Sequence, residues 1–400
     1  MQATAAITTV SARERAPGLW LCNVAGFLLA FKGAITFLFF TSSPQSGAGA
    51  TVALTLGWIF FVAGYTILDP PASSHCRPAV AVPGWILLYL GLAGASLTWT
   101  NTSSIPVAAA YWAATVADVM VIWLLLRYGL VVENTVRIIR GFIAGAAVVA
   151  LIAWIAPAMD DLRLGNEDFL HPNLIGFQFA LAALFCAYLA QENNAWSWAS
   201  AAFVITTMRT LSKGTIVAFL FAGLYYFLRG LKIGRKTRVY IGIAGVILLL
   251  AFWGLLEAYL ELYSQGSNVE TLTGRTYIWT TALDLIREKP WFGYGFDSFR
   301  WVFPPFANFQ PWHAHDEWIQ QLFTYGIVGL LVVVGVYVDF YRSIRASRNS
   351  ELKALATAIL ILVLVRSIVD TDRFELCFPL WLMTALSIAL ASDQPAQISV

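Results

Sequence analysis

The chain has 400 residues, of which 59% are hydrophobic and only 12% charged, about half the charged fraction of ordinary soluble domains. That composition excludes a water-soluble fold, which would need polar surface the chain does not carry. The net charge of +2 gives no reason to look for a nucleic-acid partner.

The sequence therefore reads as an all-α polytopic membrane protein. A spanning helix needs roughly 20 mostly apolar residues. Taken in chain order, such runs cover 19–40, 51–68, 82–98, 107–126, 136–155, 173–189, 196–208, 214–228, 239–259, 319–340, 354–370 and 376–391. The expectation is about 12 transmembrane helices, with short seventh and eighth members. The first run is too long for a signal peptide, and no small-residue cleavage site clearly follows it. The organisation predicted is a single membrane domain. Residues 1–18 form a cytoplasmic segment, 19–259 hold about nine spans, and 260–318 form one long outer loop. Residues 319–391 hold about three more spans, and 392–400 form a cytoplasmic tail.

Charge gives this scheme a direction. With Arg13 and Arg15 in the cytoplasm, both dense basic clusters, 229–238 and 342–353, fall on the same side, as the positive-inside rule requires. The outer connections then hold Arg163, Arg209, Lys213, Arg275, Arg287, Lys289, Arg300, Arg366 and Arg373. Two charged residues lie within spans, where they are costly: Lys32 and Asp118. Each fits either the bundle interior or a position near a surface. The four cysteines, Cys22, Cys76, Cys186 and Cys377, are far apart and read as small packing residues.

The 260–318 loop is too polar to span and too aromatic to be a solvated linker. Thr273-Gly274-Arg275 through Lys289-Pro290 predicts an amphipathic helix with Ile278, Ala282, Leu285 and Ile286 on one face. Thr273 is its candidate cap, and Pro290 its stop. Beyond it come Trp291, Phe292, Tyr294, Phe296, Trp301, Phe303, Phe306, Phe309 and Trp312. Two readings fit these aromatics: an interfacial belt and a surface on which sugars stack.

Chemistry concentrates at one place. His313-Ala314-His315-Asp316-Glu317-Trp318 leads directly into the tenth run. A helix N-terminus disfavours imidazolium, which leaves a neutral base available, while Asp316 and Glu317 pull the other way. Three readings compete for the histidines: a metal site, a capping role, and a catalytic base. Arg209 and Lys213 sit in a very short outer connection, and Arg275 opens the loop helix on the same side. Cations on the outer face call for an anionic partner, a lipid headgroup or a diphosphate; ordinary snorkelling to lipid phosphate is the bland alternative. His171-Pro172-Asn173 reads as the cap of the sixth run. Arg366, Asp370, Asp372, Arg373 and Glu375 cluster at the last outer turn, pairing with one another or lining the same cavity.

These motifs resemble the O-antigen ligase and polymerase superfamily of bacterial membrane glycosyltransferases. His315-Asp316, nine residues, then Gly326-Ile327-Val328-Gly329 is similar to a family pattern of histidine, an uncharged polar residue, nine residues and Gly-x-x-Gly. Asp316 departs from it. Leu211-Ser212-Lys213-Gly214 looks like the family's Ser-Arg/Lys-Gly signature. Gly274 to Trp279, with Pro290-Trp291-Phe292-Gly293-Tyr294-Gly295, looks like the segment before the histidine. The likeness runs over 205–330; the N-terminal half matches only as generic spans.

The resemblance implies transfer of a glycan from a polyprenyl-diphosphate carrier to a sugar hydroxyl at the periplasmic face of the inner membrane, without cofactor or metal. It implies His315 as base, Arg275, Arg209 and Lys213 as diphosphate contacts, and His313 and Asp316 in support. The partners implied are the lipid-linked donor, a glycan or lipid-core acceptor, and membrane lipids. The alternative is a transporter or flippase of lipid-linked oligosaccharide, for which polar groups near the midplane and internal repeats would speak. A structural partner in an export complex would leave the His and Arg grouping unexplained.

Overall fold

A computed structural model describes residues 19–39, 44–68, 80–127, 130–156, 163–165, 171–231, 275–305, 310–371 and 378–392, with isolated positions between 234 and 247. Among these the protein is all-helical. The helices are α1 (Leu19–Phe39), α2 (Pro44–Leu68), α3 (Gly84–Ser96), α4 (Ile105–Arg127), α5 (Val131–Ile155), α6 (Pro172–Leu189) and α7 (Ala195–Arg209). They continue with α8 (Lys213–Arg229), α9 (Arg275–Glu288), α10 (Phe299–Val302), α11 (Glu317–Ala346), α12 (Ser350–Arg366) and α13 (Phe378–Ser392). Every predicted run except the ninth overlies one of them. The ninth lies almost wholly outside the described residues. So do 1–18, 260–274 with its candidate cap Thr273, Phe306, Phe309, Asp372, Arg373, Glu375, Cys76, Cys377 and 393–400.

Most of α2, and α4, α5, α6 and α11, are long and apolar enough to cross a membrane; α1, α3 and α13 hold shorter apolar helices. The chain is a multi-pass membrane protein. The bundle centres on α6, which is buried along nearly its whole length. α1 and α5 approach to backbone contact. A Cβ on Gly141 would stand 2.0 Å from the Asn23 carbonyl oxygen, and one on Gly26 the same distance from that of Ile138. Lipid supplies no hydrophobic drive between helices, so small residues that let backbones pack closely do this work.

Two boundaries differ from expectation, each for a local reason. The eleventh run was expected at 354–370, but α12 occupies 350–366. The Asn349 side chain accepts from the N–H groups of Glu351 and Leu352 and starts the helix early. Residues 367–370 then turn back, with the Asp370 N–H on the Arg366 carbonyl at 2.9 Å. The tenth run was expected to stop at 340. α11 continues to Ala346 and carries Arg342 and Arg345 on its last turns.

The amphipathic helix falls where its periodicity puts it. α9 buries Ile278, Ala282 and Ile286, with Leu285 partly covered, in a small core of its own with Tyr294, Phe299, Phe303, Ala314 and Phe323. That core fastens the aromatic segment to the first turns of α11.

Candidate functional site

The turn after α12 organises the site. Arg366 is almost fully buried and meets four partners. Nη2 donates to Asp370 Oδ2 at 2.9 Å and to the Asn173 carbonyl at 3.3 Å. Nε donates to Thr215 Oγ1 at 3.2 Å, and the guanidinium lies 4.5 Å from the centre of the Phe177 ring. A buried guanidinium needs such a set, since each unsatisfied donor costs desolvation. The result ties α12 to the first turns of α6 and α8.

Two sequence-predicted residues, Arg275 and His315, reach this turn, and Lys213 lies at the head of the helix packed beside it. Arg275 Nη1 donates to the Val369 carbonyl at 2.6 Å. Lys213 opens α8, and its neighbour Gly214 faces Val369 so closely that a Cβ there would lie 2.5 Å from Val369 Cγ2. The charges of Arg163 and Arg275 both act on the Lys213 ammonium. His315 Nδ1 stands 3.6 Å from Asp370 Oδ1. That is ion-pair range and longer than a hydrogen bond; contacts of this kind tighten when substrate binds. The α11 start is fixed to the same turn by the Glu317 N–H on the Ser367 carbonyl, 2.9 Å. Arg209 closes α7, and its backbone carbonyl accepts from the Leu164 N–H at 3.1 Å. Arg163, not singled out from sequence, occupies the place beside Lys213. It donates to the Thr210 carbonyl and to Asn173 Oδ1.

His315 adopts φ 54°, and Leu211, in the connection carrying Arg209 and Lys213, adopts φ 52°. Left-handed backbone costs a non-glycine residue about 1–3 kcal/mol and persists where surroundings over-determine it. Around His315 they do. The Ala314 N–H donates to Gln320 Oε1 and its carbonyl accepts from Trp279 Nε1, both at 2.9 Å. The His315 N–H donates to His313 Nδ1 at 3.3 Å, with the two imidazole centres 4.1 Å apart. Asp316 has a local structural role. Its carboxylate accepts from the Ile319 N–H at 2.8 Å and caps α11. Burial pushes that carboxyl up, and the N–H groups of Ile319 and Trp318 pull it down. The capping role makes Asp a mild departure from the family pattern, since Asp, Asn and Ser all cap helices.

Ionisation follows from the packing. Burial works to raise the Asp370 carboxyl, but the Arg366 guanidinium, and behind it the two imidazoles, outweigh burial and hold it well below the usual carboxylate range. A small cavity opens beside the pair, lined by His171, Asn173, Phe177, His313, Arg366, Asp370 and Thr371. His171 caps α6, its Nδ1 accepting from the Asn173 N–H, as its sequence position suggests.

Among the described residues His313, His315 and Asp370 form the group whose ligand atoms could converge on a metal, all within 4.8 Å of one another. The hydrogen bonds run against that use. His313 Nδ1 accepts an N–H, which leaves the proton of the neutral ring on Nε2, and Asp370 Oδ2 is held by Arg366. The arrangement suits proton transfer beside a cationic patch.

The glycine motif has a mechanical meaning. α11 breaks at Gly326, whose φ of 64° and ψ of −160° are not helical. The aromatic segment docks into the break. Tyr294 and Gly295 donate to the carbonyls of Phe323 and Thr324, and Ile327 and Val328 donate to those of Pro290 and Trp291. A Cβ on Gly326 would sit 2.3 Å from the Trp291 carbonyl carbon, and one on Gly293 (φ 59°) would sit 2.4 Å from the Phe323 oxygen. Both positions demand glycine for space and for backbone sign. Arg366 and Asp370 are the site residues that sequence reasoning left in a general cluster; their i, i+4 spacing at the end of an apolar run was the available signal.

Part of the chain is similar to known proteins. Residues 198–334 match the O-antigen ligase family. The exopolysaccharide production protein ExoQ of Rhizobium meliloti (strain 1021) is 24% identical over 272 residues, 58% of this chain and 61% of ExoQ. An O-antigen ligase of Pseudomonas aeruginosa is 30% identical over 155 residues, 37% of this chain and 38% of that protein. The chain thus spans less than two thirds of either relative's length. These likenesses support a relation to the O-antigen ligase and polymerase superfamily.

Proposed function

We propose that the protein transfers a glycan from a polyprenyl-diphosphate carrier to a sugar hydroxyl, at the periplasmic face of a bacterial inner membrane. The observation that carries this reading is that Arg275 and His315, from two separate segments of the family-matching region, reach the Arg366–Asp370 turn, with Lys213 opening the helix whose Gly214 packs on Val369.

In this reading the acceptor oxygen bonds to the donor's anomeric carbon as the bond from that carbon to the diphosphate oxygen breaks. His315 takes the hydroxyl proton. With Nδ1 turned to Asp370, its Nε2 remains for the acceptor, and Asp370 both orients the ring and steadies the imidazolium that forms. Asp370 is kept anionic for this by Arg366. The diphosphate leaves with its electron pair, and its growing charge is met by Arg275 and Lys213, with Arg209 close by in sequence. The scheme needs no metal or cofactor, so chelators should leave turnover unchanged. The wider overlap with ExoQ favours joining of repeat units in exopolysaccharide assembly over ligation to a lipid core.

The test is transfer in proteoliposomes holding only the purified protein and lipid-linked donor. His315→Ala should lower product formation by roughly 10²–10⁴-fold while the protein stays in the membrane. Full activity in that variant overturns the assignment, and donor that crosses the bilayer unmodified indicates a flippase. In a deletion strain, single repeat units accumulating on the lipid carrier support polymerisation; long lipid-linked chains indicate ligation.

A further inference from the structure

The aromatic segment holds an arrangement that the transfer scheme does not use. The Arg300 guanidinium lies between two indole rings, 4.3 Å from the centre of Trp301 and 3.9 Å from that of Trp312. One face of each indole is taken by the cation, yet Trp301 and Trp312 remain 43% and 54% exposed as residues. The bracket is held in place from behind. Phe299 and Phe303, flanking Arg300 on and beside α10, are buried in the α9 core. Ser298 Oγ donates to the Gly295 carbonyl at 2.6 Å, and Gln310 Nε2 donates to the carbonyls of Arg300 and Phe303. One end of the bracket is the residue before His313.

From this we infer that Trp301, Arg300 and Trp312 form a subsite for the acceptor glycan, binding pyranose rings and favouring residues that carry a carboxylate. A pyranose presents an apolar C–H face and a rim of hydroxyls. An exposed indole beside hydrogen-bond donors fits that combination. An acyl chain would instead meet a guanidinium lodged between the rings. The cation gives the acidic preference, through a charge-assisted bond to a uronate or similar group. Fixing two indoles against one cation before the ligand arrives removes part of the ordering cost of binding. Trp312 directly precedes His313 in the chain, so a sugar held there would lie on the approach to the proposed base.

A second exposed aromatic group supplies the contrast. Trp291 and Phe292 are 63% and 55% exposed, and Trp99 donates to the Phe292 carbonyl. No cation–π contact is recorded at them among the described residues, and they fit an interfacial belt.

The inference rests on the transfer reading, so its test measures binding apart from turnover. The probe is oligosaccharide of two to four repeat units, released by partial acid hydrolysis from the surface polysaccharide of the wild-type strain. It is titrated calorimetrically into the full chain in nanodiscs. Trp312→Ala should weaken binding about tenfold or more, and Trp312→Phe less. Arg300→Gln should abolish preference for the oligosaccharide over its carboxyl-reduced form. Trp291→Ala should bind as wild type. In transfer assays Trp312→Ala should raise the acceptor KM with little change in kcat. His315→Ala should lose turnover and still bind the probe. Equal binding by wild type and Trp312→Ala overturns the subsite, as does equal loss in Trp291→Ala, which marks both groups as membrane belt. Should Trp312→Ala fail to accumulate, the Phe and Gln variants decide. A His315→Ala protein that transfers normally, with the binding pattern intact, overturns the transfer reading and leaves the glycan subsite standing.

Discussion

Two regions of the bundle hold buried charge, and they do so in opposite ways. Between α1 and α4, Lys32 is bonded to Asp118 alone, in a pocket otherwise walled by Ala25, Leu28, Leu54, Trp58 and similar residues. At the turn after α12, Arg366 spreads its donors over two helices and one carboxylate, that carboxylate turns its other oxygen to an imidazole, and the group borders a cavity. Among the described residues the first charge has one charged partner, and an ion pair in apolar surroundings fixes which helices meet. The second is a network that ties three helices to one turn. The number of partners, more than burial, distinguishes the two pairs.

The comparison can be broken at either end. Lys32→Met, which strands Asp118, should destabilise the protein by about 3–5 kcal/mol, and the double variant Lys32→Met with Asp118→Leu should recover most of it. Thermal unfolding in detergent measures both; a double variant as unstable as the single would mean the pair does more than pin α1 to α4. At the site the signature should invert. Arg275→Ala should cost roughly 10²-fold in turnover, with little change in melting temperature. Arg287, exposed and paired with Asp284 at 2.6 Å, is the matched control, and its alanine variant should stay within about twofold of wild type. Equal losses from the two would remove the case for a specific phosphate contact.

Asp370→Asn sharpens the contrast through pH. A carboxyl held below its unfolded pKa of about 4 contributes stability that is fully present above that value and fades as pH falls toward the depressed one. The contribution of the Asp370 carboxyl to the melting-temperature gap between wild type and Asp370→Asn should therefore be lost only below about pH 4. A gap that closes near neutrality would show that Asp370 is not held low.

Much of this was legible in the sequence where information is local. The apolar runs, the buried face of α9 and the cap at His171 follow from periodicity and residue type. Partners far apart in the chain did not. Lys32 and Asp118 are 86 positions apart, and nothing in either run names the other. Asp370 was readable in the cluster at the last outer turn, but its pairing with Arg366 was one option among several; the end of the apolar run at 370 lies four residues past the helix end, which Asn349 sets earlier. The glycines of the family motif were readable as a pattern, but their reason lies in a strand-like docking of Pro290–Gly295 that spacing alone does not disclose. Asp316 read as a neighbour of the base, while the backbone makes it a cap.

The break at Gly326 sets a length. Between the cap at Asp316 and the clasp at Gly326 stand nine helical residues, Glu317–Tyr325, anchored at one end to the α12 turn and at the other to the aromatic segment. Such a spacer fixes phase as well as distance: one inserted residue would advance it roughly 1.5 Å and rotate it roughly 100°. The invariant quantity in the histidine-to-glycine interval is thus an angle, which sets how the imidazole is aimed relative to the clamp that holds the loop.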